Sequence, residues 1–460
     1  MIAPFETEIA GGWPAADRFA RQSLDQLYRA FFAGGVEYFL PGSTLDVVGP
    51  AAASDAPTPT PDDAARIEIE WFGLRYRLTV DTAAATPDQV HMIDSIQRVL
   101  WARYNLLFDA TLAAQRLQMF RGLPEDHYIS AFLDPVPYAH IDPTVAVPDR
   151  ILDAIEVLRV SALTTYENRG IETGVLLGGS PPDERQARSS PADSLPYAVA
   201  ITEIRSFHRL CDGLHTLALV DRSGRFVELI DVHDWAAHDA GLPLPVPTID
   251  RYAAHARATL RGGRFCLVLT PHGEIKIFGR GAQVFSFLDG RWRLTDAREK
   301  YDAWRQAIGD DEAAERLFAV ALDLAEERRG ALFLILDDSA SVRHLLAEGD
   351  LLAVSSQDFA SSGKQRLHYL LRDAQLLRIA PAVLKSLASI DGATVFDASG
   401  ALLAFGAILR VPNTADFAIV ATEGGRTTAA LSASHFGRVL MVSEDGRVSF
   451  FHHGRRVWQI

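Results

Sequence analysis

Cysteine is nearly missing from this chain, with Cys211 and Cys266 the only two in 460 residues. So few exclude a disulfide framework and suit a reducing compartment. Long apolar runs are missing as well. No stretch approaches the ~18 to 20 apolar residues that a membrane span requires, so a soluble protein with no membrane partner is expected. The opening residues, Met1-Ile2-Ala3-Pro4-Phe5-Glu6, lack a basic leader followed by an apolar run, which points to the cytoplasm. There is no Lys/Arg-rich block, and the formal net charge is -14. An acidic surface repels phosphate polymers, which argues against a nucleic-acid-coating role. A small anionic substrate stays open, because backbone amides and one or two cations can hold a triphosphate. Walker A and G-x-G-x-x-G sequences are absent, and Gly178-Gly179-Ser180 lacks the G-x-S-x-G context of a nucleophile.

What is present is an ordinary globular balance, 48% hydrophobic and 23% charged, in a chain too long for one core. Three segments read as linkers or long loops: Gly49 to Ala65, Gly178 to Pro196 and Gly241 to Thr248. They suggest an α/β region over residues 1–195, an α/β middle region over 196–305 that belongs with it, and a third domain over 306–460. Helical spacing covers Ala15 to Ala33 and Pro87 to Leu117, and Ile67 to Val80 reads as two strands around Gly73. Strand-like runs follow at Thr216–Val220, Phe226–Ile230, Phe265–Leu269 and Glu274–Phe278. The stretch Cys266 to Phe285 echoes Val439 to Trp458, with glycines, a Phe and a Val in register. A duplicated unit would explain the echo, but two β-meanders with glycine turns account for it more simply.

From Asp311 the pattern changes. Ala313 to Arg329 is an amphipathic helix, and Gly330 to Leu336 (GALFLIL) suits a strand buried on both faces. Pro381 to Ala388 is a short helix with proline in its first turn. Asp391 to Phe405 gives two strands around Ser399-Gly400. Gly425 to Ser434 is a helix after glycines, and Arg438 to Trp458 closes as a meander. An α/β sandwich around a mixed central sheet is the natural assembly.

Two pieces carry chemistry. Asp391-Gly392-Ala393 opens a strand after a helix, where an Asp can bind a divalent cation and Gly392 lets a ligand approach the backbone. Alone, Asp-Gly is also a common turn. Gly424-Gly425-Arg426-Thr427-Thr428 leads into a helix whose free amides and dipole favour an anion, with Arg426 as a bidentate phosphate donor. The same residues also suit an N-cap in which the threonines satisfy helix amides. His208, Cys211, His215, His233 and His238 form a loose cluster without a strong zinc spacing.

The series GALFLIL, DGA, GGRTTAALSAS and VSEDGRVS, in that order, resembles the diadenylate cyclase family, over Asp311 to Ile460. The resemblance implies condensation of two ATP into cyclic di-AMP and pyrophosphate, by a homodimer or larger homo-oligomer with two domains face to face. It implies Mg²⁺ or Mn²⁺ on Asp391, with Asp391, Gly392, Ala393 and Arg426 catalytic and Gly424, Gly425, Thr427, Thr428, Ser443 and Glu444 around the ATP. The family pattern has Arg-His-Arg where this chain has Arg426-Thr427-Thr428. Arg410, Lys364 and Arg438 are the cations that could compensate. The N-terminal residues would then sense an unidentified ligand. A nucleotide or cyclic-dinucleotide receptor without turnover, or a cyclase with another product, are the alternatives the changed motif leaves.

Overall fold

The computed structural model describes residues 15–51, 60–63, 65–81, 84–108, 114–139, 147–166, 169–178, 195–197, 199, 207–261, 263–352, 363–410 and 424–460. The fold is mixed α/β. The chain forms two compact units, Met1–Pro243 with Ala254–Asp296, and Leu244–Ala253 with Ala297–Ile460.

Among the described residues the first unit holds two larger sheets and a two-stranded hairpin. Strands β1 (Thr44–Pro50), β2 (Thr60–Asp63), β3 (Arg66–Trp71) and β4 (Leu74–Thr79) form an antiparallel sheet in the order β1-β4-β3-β2. Alternation in β3 buries Ile67, Ile69 and Trp71 while the charged residues between them stay half-buried or exposed. Thr60–Asp63, part of the segment expected to be a linker, instead pairs with β3 along the sheet edge. The helix Ala15–Phe39 and the helix Pro87–Leu106 share one buried cluster with this sheet, through Phe32, Ile96 and Val99. Thr86 and Gln89 make a reciprocal capping box at the start of the second helix. That helix ends at Leu106, short of the expected Leu117, because Leu107 and Phe108 leave the core for solvent.

After the small hairpin β5 (Thr165–Tyr166) and β6 (Arg169–Gly170) comes a seven-stranded sheet. Its strands are β7 (Thr173–Leu177), β8 (Thr216–Val220), β9 (Phe226–Asp231), β10 (Phe265–Leu269), β11 (Ile275–Gly279), β12 (Ala282–Leu288) and β13 (Arg291–Leu294). The order is β13-β12-β11-β10-β7-β8-β9, and only β7 and β8 run parallel.

The second unit is an α/β sandwich around one mixed sheet. Its strands are β14 (Ala331–Leu336), β15 (Ala393–Phe396), β16 (Leu402–Ala407), β17 (Gly437–Val442), β18 (Val448–His452) and β19 (Arg455–Gln459). The order is β16-β15-β14-β17-β18-β19, with β14 and β15 parallel and every other pair antiparallel. All six residues of β14 are buried, as the apolar run predicts. Leu332, Leu334 and Leu336 pack with Ala430 and Ala433 of the helix Gly425–Ala433 on one face. On the other, Trp304 meets Phe450 and Phe318 meets Trp458, at ring distances of 5.1 and 5.9 Å. These aromatic contacts bring the helices Ala297–Ile308 and Asp311–Glu326 onto the sheet.

Strands β7 to β12 repeat the order and directions of β14 to β19. The likeness reaches below topology. Antiparallel register slips at Ile277/Phe278 in one sheet and at Phe450/Phe451 in the other, the same step of each meander. Arg280-Gly281 and His453-Gly454 supply matching positive-φ pairs in the next turn. Asp221 and Asp397 each accept bonds from the amide and hydroxyl of the serine two residues on and from the amide four residues on. The echo between Cys266–Phe285 and Val439–Trp458 therefore extends from two similar meanders to a six-stranded plan used twice.

Candidate functional site

Parallel pairing of β14 with β15 sets the end of the DGA motif beside the GAL strand, Leu332 opposite Ala393. Antiparallel pairing of β14 with β17 brings the following turn to the same end, Ala331 opposite Val442. The helix Gly425–Ala433 starts at that end too. Between them lies an open cleft of about 640 Å³. Gly392, Ala393, Gly424, Gly425, Arg426, Thr427, Ser443 and Glu444 all line it, so eight of the ten residues singled out from sequence meet at one place.

The remaining two do not line it. Asp391 is exposed, one residue before the lining Gly392. Thr428 is half-buried in the first turn of the helix. Leu332, Ala407, Ile408, Leu409, Ala429 and Met441 supply an apolar side that the motifs did not announce. These are apolar residues in strands, just after one, or, for Ala429, in the helix Gly425–Ala433, and nothing in their spacing separates them from core.

The helix start settles how the glycine run is used. Gly424 is the N-cap, with φ −53° and ψ 161°, and as a glycine it offers no capping side chain. Thr427 and Thr428 sit inside the first turn, their amides bonded to the Gly424 carbonyl at 3.0 and 3.2 Å. The Gly425 and Arg426 amides thus receive no hydroxyl from the N-cap residue, and the positive end of the helix dipole faces the cleft. Gly392 has φ +115°, and a Cβ there would come within 2.6 Å of the Ala407 amide nitrogen. The DGA glycine is therefore required by the close approach of β16.

Arg426 is the one cation among the described lining residues, and it is 34% exposed. Both its Nη atoms donate to Oε1 of Glu444 at 3.3 Å, while Glu444 is 72% exposed. An ion pair this open contributes roughly 0 to 1 kcal/mol, little enough for a polyphosphate to displace. Ser443 holds its turn through backbone bonds, its amide to the Arg447 carbonyl at 2.8 Å and its carbonyl to the Gly446 amide at 3.0 Å.

Of the cations expected to compensate for Thr427 and Thr428, Arg410 and Arg438 are not in the lining. Arg438 is committed on β17, with Nε donating to the Ala307 carbonyl at 2.9 Å and Nη1 paired with Asp337 at 2.5 Å. Arg410 is exposed and held through its amide to the Leu345 carbonyl. The Lys364 side chain and Glu423 lie outside the described residues. In the first unit, the Cys211 thiol donates to the Gly174 carbonyl at 2.9 Å and is buried, as a core cysteine would be. The His208 side chain lies outside the described residues, and among those described His215, His233 and His238 form no three-ligand metal group.

Among the described residues no helix is long and apolar enough to cross a membrane. No protein-family model matches the chain, and no curated protein matches it. Among solved structures, the chain is similar to a hypothetical membrane spanning protein from Bacillus cereus at 19% identity, covering 34% of this chain and 69% of that one, with a TM-score of 0.26. It is likewise similar to DacA from Staphylococcus aureus at 19% identity, covering 34% of this chain and 89% of that one, with a TM-score of 0.20.

Proposed function

We propose that the second unit binds ATP in this cleft and condenses two ATP molecules into cyclic di-AMP, as a diadenylate cyclase does. One observation carries the reading. Motifs spread over more than a hundred residues, whose order resembles that family, converge on a single cleft with a glycine-capped helix start, an arginine and an apolar side.

The chemistry follows from those groups. The Gly425 and Arg426 amides and the Arg426 guanidinium would take phosphate oxygens, with the Thr427 hydroxyl as a further donor. Glu444 would release Arg426 as phosphate arrives, since an exposed carboxylate returns to water at little cost. The ribose 3′-hydroxyl of one ATP attacks the α-phosphorus of the other, and pyrophosphate leaves. Repeating the attack closes the ring, so two such domains must face each other in a homodimer or larger assembly. Mg²⁺ or Mn²⁺ fits beside the cleft, because such ions are commonly held by one or two carboxylates plus phosphate oxygens, and Asp391 is an exposed carboxylate at its edge. When bound, the ion would neutralise charge on the phosphates and help the 3′-hydroxyl lose its proton.

A second reading has its own support. With Thr427 and Thr428 in the clamp and one lining cation, the site holds fewer charges than the reaction draws on. Losing one preorganised donor lowers rate by about 10² to 10³. A receptor that binds nucleotide or cyclic dinucleotide without turnover would need no more than is here. On either reading the first unit would be the sensing region. Pyrophosphate release from ATP with Mn²⁺ separates the two. The cyclase reading expects release that rises more steeply than linearly with protein concentration and is lost in Asp391→Ala. Tight ATP binding with no release in the wild type would leave the receptor.

A further inference from the structure

The side chain that Gly330 lacks would occupy the place where the Arg426 guanidinium lies. A Cβ built on Gly330 meets Nη1, Cζ and Nη2 of Arg426, and these are its three nearest neighbours. No backbone atom is among them. Gly330 also lies outside the positive-φ region, so its backbone asks for nothing that alanine could not supply. Other glycines of this unit are different. Gly392 is held at φ +115° against the Ala407 backbone, and a Cβ on Gly437 would run into the Ile335 carbonyl. Those two are glycine because main chain passes close by. Gly330 is glycine because a side chain does.

We propose that Gly330 is a positioning residue, which seats the Arg426 guanidinium and so aims it at bound phosphate; this rests on the nucleotide reading above. The guanidinium lies against Gly330 at the foot of β14, and Glu444 Oε1 is 3.3 Å from both Nη atoms on another side. What remains open is the cleft that Arg426 lines. A planar five-donor fork makes two parallel bonds to a phosphate only when its plane is held, which a flexible arginine on an exposed helix start does not achieve alone. The repeated sheet of the first unit offers a contrast. Thr173 pairs with Leu269 as Ala331 pairs with Val442, so Glu172 stands in the place of Gly330. A long acidic side chain at that position leaves no such seat.

The test is calorimetric binding of α,β-methylene ATP, which cannot lose pyrophosphate, with Mg²⁺ and the full chain. Wild type, Gly330→Ala, Arg426→Ala and the double variant are compared, and each is melted without ligand. The inference expects Gly330→Ala to weaken binding about 10-fold or more, the scale of a hydrogen bond to a charged group. It expects no further loss when Gly330→Ala is added to Arg426→Ala, and a melting temperature for Gly330→Ala no lower than wild type. Wild-type affinity in Gly330→Ala, a loss that adds in full to that of Arg426→Ala, or a lowered melting temperature would each overturn it. If wild type binds and only Arg426→Ala weakens binding, the nucleotide reading survives and the seat does not. If wild type binds no analogue, both fall together.

Discussion

At Gly392 the backbone turns through φ +115° with Ala407 pressed against it, and at Gly330 it does not turn at all. The two glycines therefore answer the same substitution with opposite signs. Gly392→Ala should destabilise the second unit by about 1 to 3 kcal/mol, the cost of strain in a conformation L-residues avoid. Gly330→Ala should hold stability or raise it by about 0.4 to 1 kcal/mol, because alanine restricts the unfolded chain. Urea unfolding of the two variants checks this, and a matching loss in both would refute the distinction. Sequence could name both glycines but not tell them apart. Asp-Gly marks a turn from its own chemistry, whereas the need at position 330 is set by an arginine 96 positions later. Asp391 shows the converse: the residue type was legible, but its place at the edge and not in the lining depends on where β16 passes.

Elements in the first unit are tied by one buried carboxylate. Asp149 caps the helix Arg150–Ala162 by accepting from the Leu152 amide at 3.0 Å, and it also accepts from the hydroxyls of Ser130 and Tyr138, each at 2.5 Å. The Tyr138 hydroxyl is 2.9 Å from His127 Nδ1, and His127 Nε2 donates to the Arg121 carbonyl at 2.6 Å. The helix Pro124–Leu133 is thereby joined to the start of the next. Burial, aided by the charge of Arg103, lowers the His127 pKa to about 4. Between pH 6.5 and about 4 the unfolded chain thus binds a proton there that the folded chain refuses. His127 alone then lowers stability as pH falls through that window, by about 1.4 kcal/mol per pH unit at most. Asp153, raised to about 6 by burial and by Asp149, works in the opposite direction over the same range. The difference between wild type and His127→Gln isolates the histidine, and it should move against the wild type with acidification. Parallel stability curves would contradict this.

Much at this scale was legible. Gly330 to Leu336 reads as a buried strand because every residue after the glycine is apolar, and Pro381–Ala388 appears as a helix with proline at its start. The helix Pro87–Leu106 was read too long, because apolar spacing continues past Leu106 after the side chains have left the core. What the cleft needs was hidden in pairing. The 56 residues between Leu336 and Ala393 contain nothing local that says β15 lies parallel beside β14.

For the whole molecule the main finding is a sheet plan used twice, with the cleft described above in its second copy. Pairing register and turn bonds place Glu172, Thr216 and Pro271 where the second unit has Gly330, Gly392 and Glu444. Every one of those exchanges removes a feature of the cleft: the glycine beside the Arg426 guanidinium, the positive-φ glycine against β16, or the carboxylate that pairs with arginine. The account therefore expects one nucleotide per chain at saturation. Equilibrium dialysis with the ATP analogue should plateau at one equivalent, and a plateau at two would mean that the first copy kept a site. Sequence showed only the meander half of this repeat, because β-strand order leaves little trace once the side chains have diverged.

The most direct measurement is the mass of what the purified full chain makes from ATP with Mn²⁺ or Mg²⁺, beside Asp391→Ala and Arg426→Ala. Cyclic di-AMP from the wild type, lost in Asp391→Ala and reduced about 10²-fold or more in Arg426→Ala, is the result predicted here. No cyclic dinucleotide from folded, ATP-binding protein, or a product that both variants still make at the wild-type rate, would contradict it.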